Sequence, residues 1–447
     1  MFRQINGFLV DWFARNDRKP LLLRGARQVG KTWAVRELAR TMGAELVEVN
    51  FELRPECKQA FNSLEPGKIL QTLALLGFSK AEAGQSLLFL DEIQECPQAI
   101  VALRYFYEQM PDLAIAGTGS LLEFALEQER FSMPVGRIES AWLFPMSFGE
   151  FLRAKGNSSL AEAIAQNPLE HGIPDVAHAQ ACKELREYLF CGGMPQAVLA
   201  MTEAKDVESV RRVHRGILQT YRQDFYKYAP RIKARLAENL FLKAPGLVGG
   251  HFKYRHVDPD LRSSEIRPAV EALEKAGVIR RVIHSPGGLP LATDVNPRIF
   301  KLVLLDVGLM HTSLQIEAQL VQEPDLLAVH RGAVAEQFVA QELLACAPPD
   351  QDPSLYFWSR EVPASQAEVD YLVSSGRHVL PIEVKSGASG TLKSLRIFLA
   401  SHPGSPVGVR LYGGGAMREE SIWHLPLYSA GILTRGDFKT PSPRRPR

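Results

Sequence analysis

The chain lacks a charge excess of either sign, a dense set of cysteines and any long apolar run. Its 52 Lys and Arg stand against 50 Asp and Glu, a net charge of +2 over 447 residues. Overall charge therefore gives no argument for or against a nucleic-acid partner, and only local clusters can. The five cysteines (Cys57, Cys96, Cys182, Cys191 and Cys346) are scattered, odd in number and without CxxC spacing. That argues against a disulfide framework or a zinc site and fits a reducing compartment. No run of about 18 apolar residues occurs, so no membrane span is expected. The N-terminal stretch carries Asp11 and Arg15, which do not suit the apolar segment of a signal peptide. With 46% hydrophobic and 23% charged residues, a soluble, cytoplasmic protein of two to four domains is expected.

What is present begins at Gly25-Ala-Arg-Gln-Val-Gly-Lys31-Thr32, which fits G-x-x-x-x-G-K-[ST]. An apolar run, Leu21–Leu23, precedes it and the amphipathic stretch from Thr32 and Trp33 follows. Strand, glycine-rich turn and helix start make a cradle for nucleotide phosphates, because backbone N–H groups point inward and Lys31 adds charge. Gly25 and Gly30 permit turn conformations that a Cβ would oppose. The expected nucleotide-binding set is Gly25, Ala26, Arg27, Gln28, Val29, Gly30, Lys31, Thr32 and Trp33, with ATP as cofactor.

From Arg18 to about Leu143, apolar runs at Leu21–Leu23, Leu46–Val49, Leu87–Leu90, Leu113–Ala116 and Ala141–Leu143 alternate with amphipathic segments. This α/β alternation predicts a parallel sheet with helices on both faces. The run Leu87–Leu90 ends in Asp91-Glu92. Asp91, with the Thr32 hydroxyl, is the expected Mg²⁺ ligand, and Glu92 the residue that polarises the attacking water. A strand lying between this one and the phosphate-loop strand should offer a polar side chain, and Thr118 and Ser120 in Gly117–Ser120 suit that place. Arg137 is the candidate arginine for transition-state charge, in its own or a neighbouring subunit. The expected catalytic set is thus Lys31, Glu92, Ser120 and Arg137.

These residues resemble those of the AAA+ ATPases. The closer resemblance is to a bacterial and archaeal family that joins an N-terminal AAA-type domain to a C-terminal domain of unknown function. It rests on Leu22–Thr32, Asn50-Phe-Glu, Leu90–Gln94, Gly117–Ser120, Gly136-Arg137, Phe144–Leu152 and Gly192–Pro195. The last two segments are the more family-specific. The resemblance implies a P-loop ATPase domain over residues 1–155 and a helical lid over 156–245.

Beyond these, Ser264–Ala276 has a helical pattern, and Val278–His284 and Leu291–Leu304 read as strands joined near Ser285-Pro-Gly-Gly288. Helix followed by hairpin is the outline of a winged helix, over 246–320. A last unit, 325–432, begins with a helix from His330 to Ala345 and continues with strands Glu368–Val373 and Val379–Val384 around the turn Ser374–Arg377. The remainder, 433–447, is expected to be a disordered basic tail.

Glu383-Val-Lys385 on a strand puts both side chains on one face. Asp370 on the preceding strand can lie beside Glu383, and Glu336 comes from a helix. The set resembles the restriction-endonuclease-like superfamily, PD-(D/E)XK, with Val369 standing where a Pro would be. That likeness implies a nuclease-like α/β domain in which Asp370 and Glu383 bind Mg²⁺ or Mn²⁺ and Lys385 acts on a water.

Between Arg211 and Arg235 lie eight Lys or Arg and one acid, Asp224, interleaved with Tyr221, Phe225, Tyr226 and Tyr228. This suits phosphate contact and base stacking on DNA, or equally an amphipathic helix with a solvated basic face. Glu265, Glu271 and Glu274 on the winged-helix face would repel phosphates. Three readings follow: an ATPase driving conformational change in its C-terminal domains, an ATP-gated metal-dependent nuclease, and a slow nucleotide switch or adaptor recognising a protein partner. No motif fixes the oligomeric state.

Overall fold

A computed structural model describes residues 1–126, 136–166, 168–204, 206–228, 231–315, 332–362, 365–385 and 391–435. The chain divides into two compact units. The first is Met1–Phe144 with 275–277 and 349–352, and the second holds the rest.

In the first unit, strands β1 (Leu21–Arg24), β2 (Glu45–Asn50), β3 (Ser86–Asp91), β4 (Ala114–Thr118) and β5 (Glu139–Trp142) form a parallel sheet in the order β2-β3-β4-β1-β5. The apolar runs foreseen in the sequence are these strands. β3 and β4 are buried along their whole length, as a sheet covered on both faces requires. Helices α1 (Ile5–Ala14), α2 (Lys31–Met42), α3 (Pro66–Leu75), α4 (Pro97–Gln109) and α5 (Leu122–Leu126) accompany them. In α2, Ala34, Val35, Leu38 and Ala39 are buried at helical spacing. Gly30 and Gly43, both left-handed, bound the helix, and Gly43 closes it in the usual C-terminal manner. The core gathers Leu22, Val49, Phe51, Phe61, Leu90 and Phe106, each contributing about 1.5–3 kcal/mol by burial.

The second unit holds helices α6 (Phe148–Ala154), α7 (Asp175–Cys191), α8 (Val207–Tyr228), α9 (Ser263–Lys275, its last residue grouped with the first unit), α10 (Val307–Leu314), α11 (Ala333–Ala345) and α12 (Lys393–Ser401). Its strands are β6 (Ile279–His284), β7 (Asn296–Leu304), β8 (Leu355–Val362), β9 (Ser365–Ser375), β10 (His378–Val384), β11 (Gly408–Tyr412), β12 (Met417–Glu419) and β13 (Ile422–Pro426). They form one sheet in the order β12-β13-β11-β10-β9-β8-β6-β7.

The hairpin β6–β7 is antiparallel as read from the sequence, but it does not stand apart as a wing. β6 pairs in parallel with β8, at Val282↔Leu355 and Ile283↔Tyr356, so the hairpin extends the C-terminal sheet. The separation expected near residue 320 is therefore absent from the sheet. Helix α11 explains the union. It is buried all round, and three of its polar side chains hold neighbouring elements. Gln337 accepts from Leu304 N–H at 2.7 Å and donates to Leu304 O at 2.7 Å. Gln341 accepts from Val307 N–H at 2.9 Å and donates to Asp306 at 3.0 Å. Glu342 accepts from Phe148 N–H at 2.7 Å. The basic tail lies outside the described residues from 436 onward. Among the described residues no helix is long and apolar enough to cross a membrane.

Candidate functional site

The loop after β1 is built by backbone conformations its sequence permits. Gly25 has φ +144°, Gln28 +65° and Gly30 +96°. A Cβ on Gly25 would meet the Leu143 carbonyl oxygen at 2.2 Å, so no other residue fits there. Buried Arg3 donates from Nη1 to Val29 O at 2.7 Å and pins the loop from outside. Lys31 Nζ donates to Gly25 O at 2.9 Å and Ala26 O at 2.7 Å, which holds the ammonium inside the loop. Burial pushes its pKa down to about 8, against the upward pull of the Glu92 and Asp91 carboxylates.

Parallel pairing in the order β3-β4-β1 aligns the C-terminal ends of these strands at the loop. Thr32 Oγ1 lies 3.4 and 3.3 Å from the two Asp91 carboxylate oxygens. The Thr118 hydroxyl donates to Asp91 Oδ1, and Asn50 Nδ2 donates to Oδ2 at 3.0 Å. Burial raises the Asp91 pKa, while Thr118 opposes the rise. Glu92, at φ +50°, has one oxygen engaged: Oε2 accepts from Gln94 Nε2 at 2.7 Å and Ser120 Oγ at 3.3 Å. Arg27 Nε reaches Ser120 Oγ at 3.4 Å. Lys31, Thr32, Asp91, Glu92, Thr118 and Ser120 thus converge on one edge of the sheet. Asn50 and Gln94 belong with them; both lie in the family-like segments Asn50-Phe-Glu and Leu90–Gln94, but the sequence reading gave them no place in the site.

Arg137 does not join the site within its own chain. It precedes β5, whose residue Glu139 pairs with Leu21 at the start of β1, so it lies at the opposite sheet edge. There it is half-exposed and paired with Glu108 at 3.2 Å. Position along a strand decides this, because parallel strands carry their loops at fixed edges.

The C-terminal carboxylates also come together. The register Ile382↔Tyr371 brings Asp370 alongside Glu383, and Asp370 Oδ2 accepts from Val384 N–H at 2.8 Å. Lys385 Nζ contacts Glu383 Oε1 at 2.5 Å. Glu336 on α11 joins them through a residue the sequence reading missed, Lys301 of β7. Its Nζ lies 3.3 Å from Glu336 and 3.4 Å from Asp370, and is ion-paired with Glu368. Burial, then the Asp370 charge, pushes the Glu336 pKa up to about 8 and that of Glu383 to about 7.

The basic stretch is an amphipathic helix, α8, continued by Arg231–Lys243. Tyr221 and Phe225 are buried and pack on Phe241, so neither is open to a base. Arg211 and Arg215 pair with Glu208, and Arg222 with Glu238. The side chains of Lys227, Tyr228, Arg231 and Lys233 lie outside the described residues. The family-like segments are joints. Ser147 and Glu150 form a reciprocal cap on α6, and Gly193 N–H donates to Asp306 at 2.6 Å.

Residues 17–152 match the model of an AAA domain, 182–320 that of a domain of unknown function (DUF8612) and 331–428 that of another (DUF4143). No curated protein sequence matches the chain. Similar solved structures include the Aeropyrum pernix ORC2 protein in ADPNP–ADP complexes, at 11% identity and TM-score 0.38 over 72% of this chain and 94% of that one. The A. pernix ORC1 protein in complex with DNA is 15% identical, covering 74% and 95% with TM-score 0.30. The Thermotoga maritima RuvB Holliday junction branch migration motor is 17% identical, covering 62% and 87% with TM-score 0.22. By its matching model, the N-terminal region of the chain, residues 17–152, is similar to an AAA domain, and its strands form the parallel sheet described above.

Proposed function

We propose that the chain hydrolyses ATP with Mg²⁺ at the loop Gly25–Thr32 and uses the cycle to drive conformational change in its C-terminal region. The observation that carries this reading is the convergence of Lys31, Thr32, Asp91 and Glu92 at one edge of the parallel sheet. Lys31 binds the β- and γ-phosphates in exchange for its contacts with the loop carbonyls. A hydroxyl and a carboxylate, Thr32 and Asp91, would hold a Mg²⁺ ion, whose charge would offset that of the phosphates. Glu92 accepts the proton of the attacking water. Gln94 and Ser120 both hold Oε2, and among the described residues no hydrogen bond reaches Oε1, the oxygen that would face that water.

DNA as a partner has less support, because Arg211, Arg215 and Arg222 of α8 are paired and two of its aromatics are core. Phosphate release by the full chain tests the ATPase reading. Lys31→Ala should lose nucleotide binding. Glu92→Gln should bind ATP normally but turn over about 100-fold slower or worse. Hydrolysis by Glu92→Gln at the wild-type rate would overturn the assignment.

A further inference from the structure

We infer that Lys301 occupies the place of a divalent cation in the C-terminal carboxylate cluster, closing it as a metal-free site. One ammonium meets three carboxylates from two elements: Glu336 of α11 at 3.3 Å, Asp370 of β9 at 3.4 Å, and Glu368 of β9. The Lys301 side chain is only 3% exposed, and its Nζ also lies 5.3 Å from the centre of the Phe357 ring. A divalent cation would need these same oxygens at about 2.0–2.6 Å, in the volume the ammonium fills.

Three further acceptors are taken as well, while Glu383 Oε2 is buried with no hydrogen-bond partner among the described residues. Asp370 Oδ2 receives Val384 N–H at 2.8 Å, Glu368 Oε2 faces His251 Nε2 at 2.7 Å, and Glu383 Oε1 receives Lys385 at 2.5 Å. Consistently, no group of three or more His, Cys, Asp or Glu among the described residues is arranged to hold a metal ion. With the ammonium seated among Glu336, Glu368 and Asp370, the metal that the nuclease-like resemblance implies does not fit this donor set.

Lys301 sits within β7, opposite Val282 of β6, and β6 is paired in turn with β8, so the backbone that carries the ammonium is fixed in the sheet. The lysine thus replaces external metal with a covalently supplied cation, and it ties the hairpin to the carboxylates of α11 and β9. The inference stands independently of the ATPase reading, since no residue of the phosphate loop enters it.

Mn²⁺ binding to the nucleotide-free full chain, read from the electron paramagnetic resonance of free Mn²⁺, tests it. Wild-type protein and Asp370→Asn should bind Mn²⁺ alike. Lys301→Met should gain one Mn²⁺ per chain, a site that adding Asp370→Asn abolishes, whereas Lys301→Arg should gain none. A wild-type Mn²⁺ site lost in Asp370→Asn or Glu336→Gln would overturn the inference. So would a folded Lys301→Met that gains no Asp370-dependent site. If Lys301→Met does not fold, the comparison of wild-type protein with Asp370→Asn and Glu336→Gln still decides.

Discussion

Asp91 accepts from the Thr118 hydroxyl, Asn50 Nδ2, the Thr32 hydroxyl and the Glu92 N–H. Such a shell keeps a buried carboxylate aimed at one point while desolvation works against its charge. Asn50 has a double part. Its Oδ1 accepts from Glu52 N–H at 3.1 Å and Leu53 N–H at 2.9 Å, so the turn after β2 locks the amide that faces Asp91. We predict that Asn50→Ala reduces the Mg²⁺-dependent gain in ATP affinity about tenfold, the worth of one hydrogen bond to a charged group. Titrating ATP with and without Mg²⁺ checks this. A Mg²⁺ gain equal to wild type would make Asn50 a turn residue only. The loop motif and Asp91-Glu92 were legible because their chemistry is tied to spacing. Asn50 and Gln94 lie in family-like segments but were given no role: Asn50 meets Asp91 only where β2 pairs with β3 in the folded sheet, and Gln94 bonds Glu92 across a local turn.

At the level of elements, apolar runs revealed the strands of the first unit, since burial on two faces leaves little room for polar side chains, whereas in the second unit only β6, β7, β9 and β10 were foreseen. Pairing partners were less accessible. Ser285-Pro-Gly-Gly288 announces a hairpin, yet nothing local says that β6 lies against β8. The roles of Gln337, Gln341 and Glu342 were hidden for the same reason: each is buried and satisfied by the backbone or side chains of neighbouring elements.

Glu342 gives a pH test of that burial. Desolvation raises its pKa from 4.5 to about 8, so the folded chain retains a proton that the unfolded chain releases. Its contribution is therefore present below about pH 4.5 and is lost as pH rises through about 8. Glu342→Gln keeps an oxygen to accept from Phe148 N–H and removes the titration. We expect it to lie close to wild type at pH 5 and to exceed it at pH 8 by about 3–4 kcal/mol, a tenfold change in proton affinity being worth about 1.4 kcal/mol. Urea unfolding at the two pH values decides, and parallel stabilities would mean that Glu342 is ionised in the fold.

At the scale of the whole molecule, hydrolysis matters only if its free energy reaches residues beyond the first unit. A ligand can shift a conformational equilibrium only by its differential affinity for the two states. The joint that holds the helical segment to the C-terminal sheet is the place to look in the second unit. There Gly193 N–H and Gln341 both bond Asp306, and a Cβ on Gly193 would meet the Met146 carbonyl oxygen at 2.1 Å. Such tight packing favours discrete arrangements over gradual deformation. We predict that ATP and Mg²⁺ added to Glu92→Gln slow amide exchange at Gly25–Thr32 and also change it around Gly192–Gly193 and Val307–Leu309. Lys31→Ala should show neither effect. Hydrogen exchange read by mass spectrometry separates the outcomes, because protection that stops within Met1–Phe144 would leave a nucleotide switch with no transmission to the second unit. Exchange that changes in both units, and only when Lys31 is present, is the pattern expected of an ATPase that moves its C-terminal region.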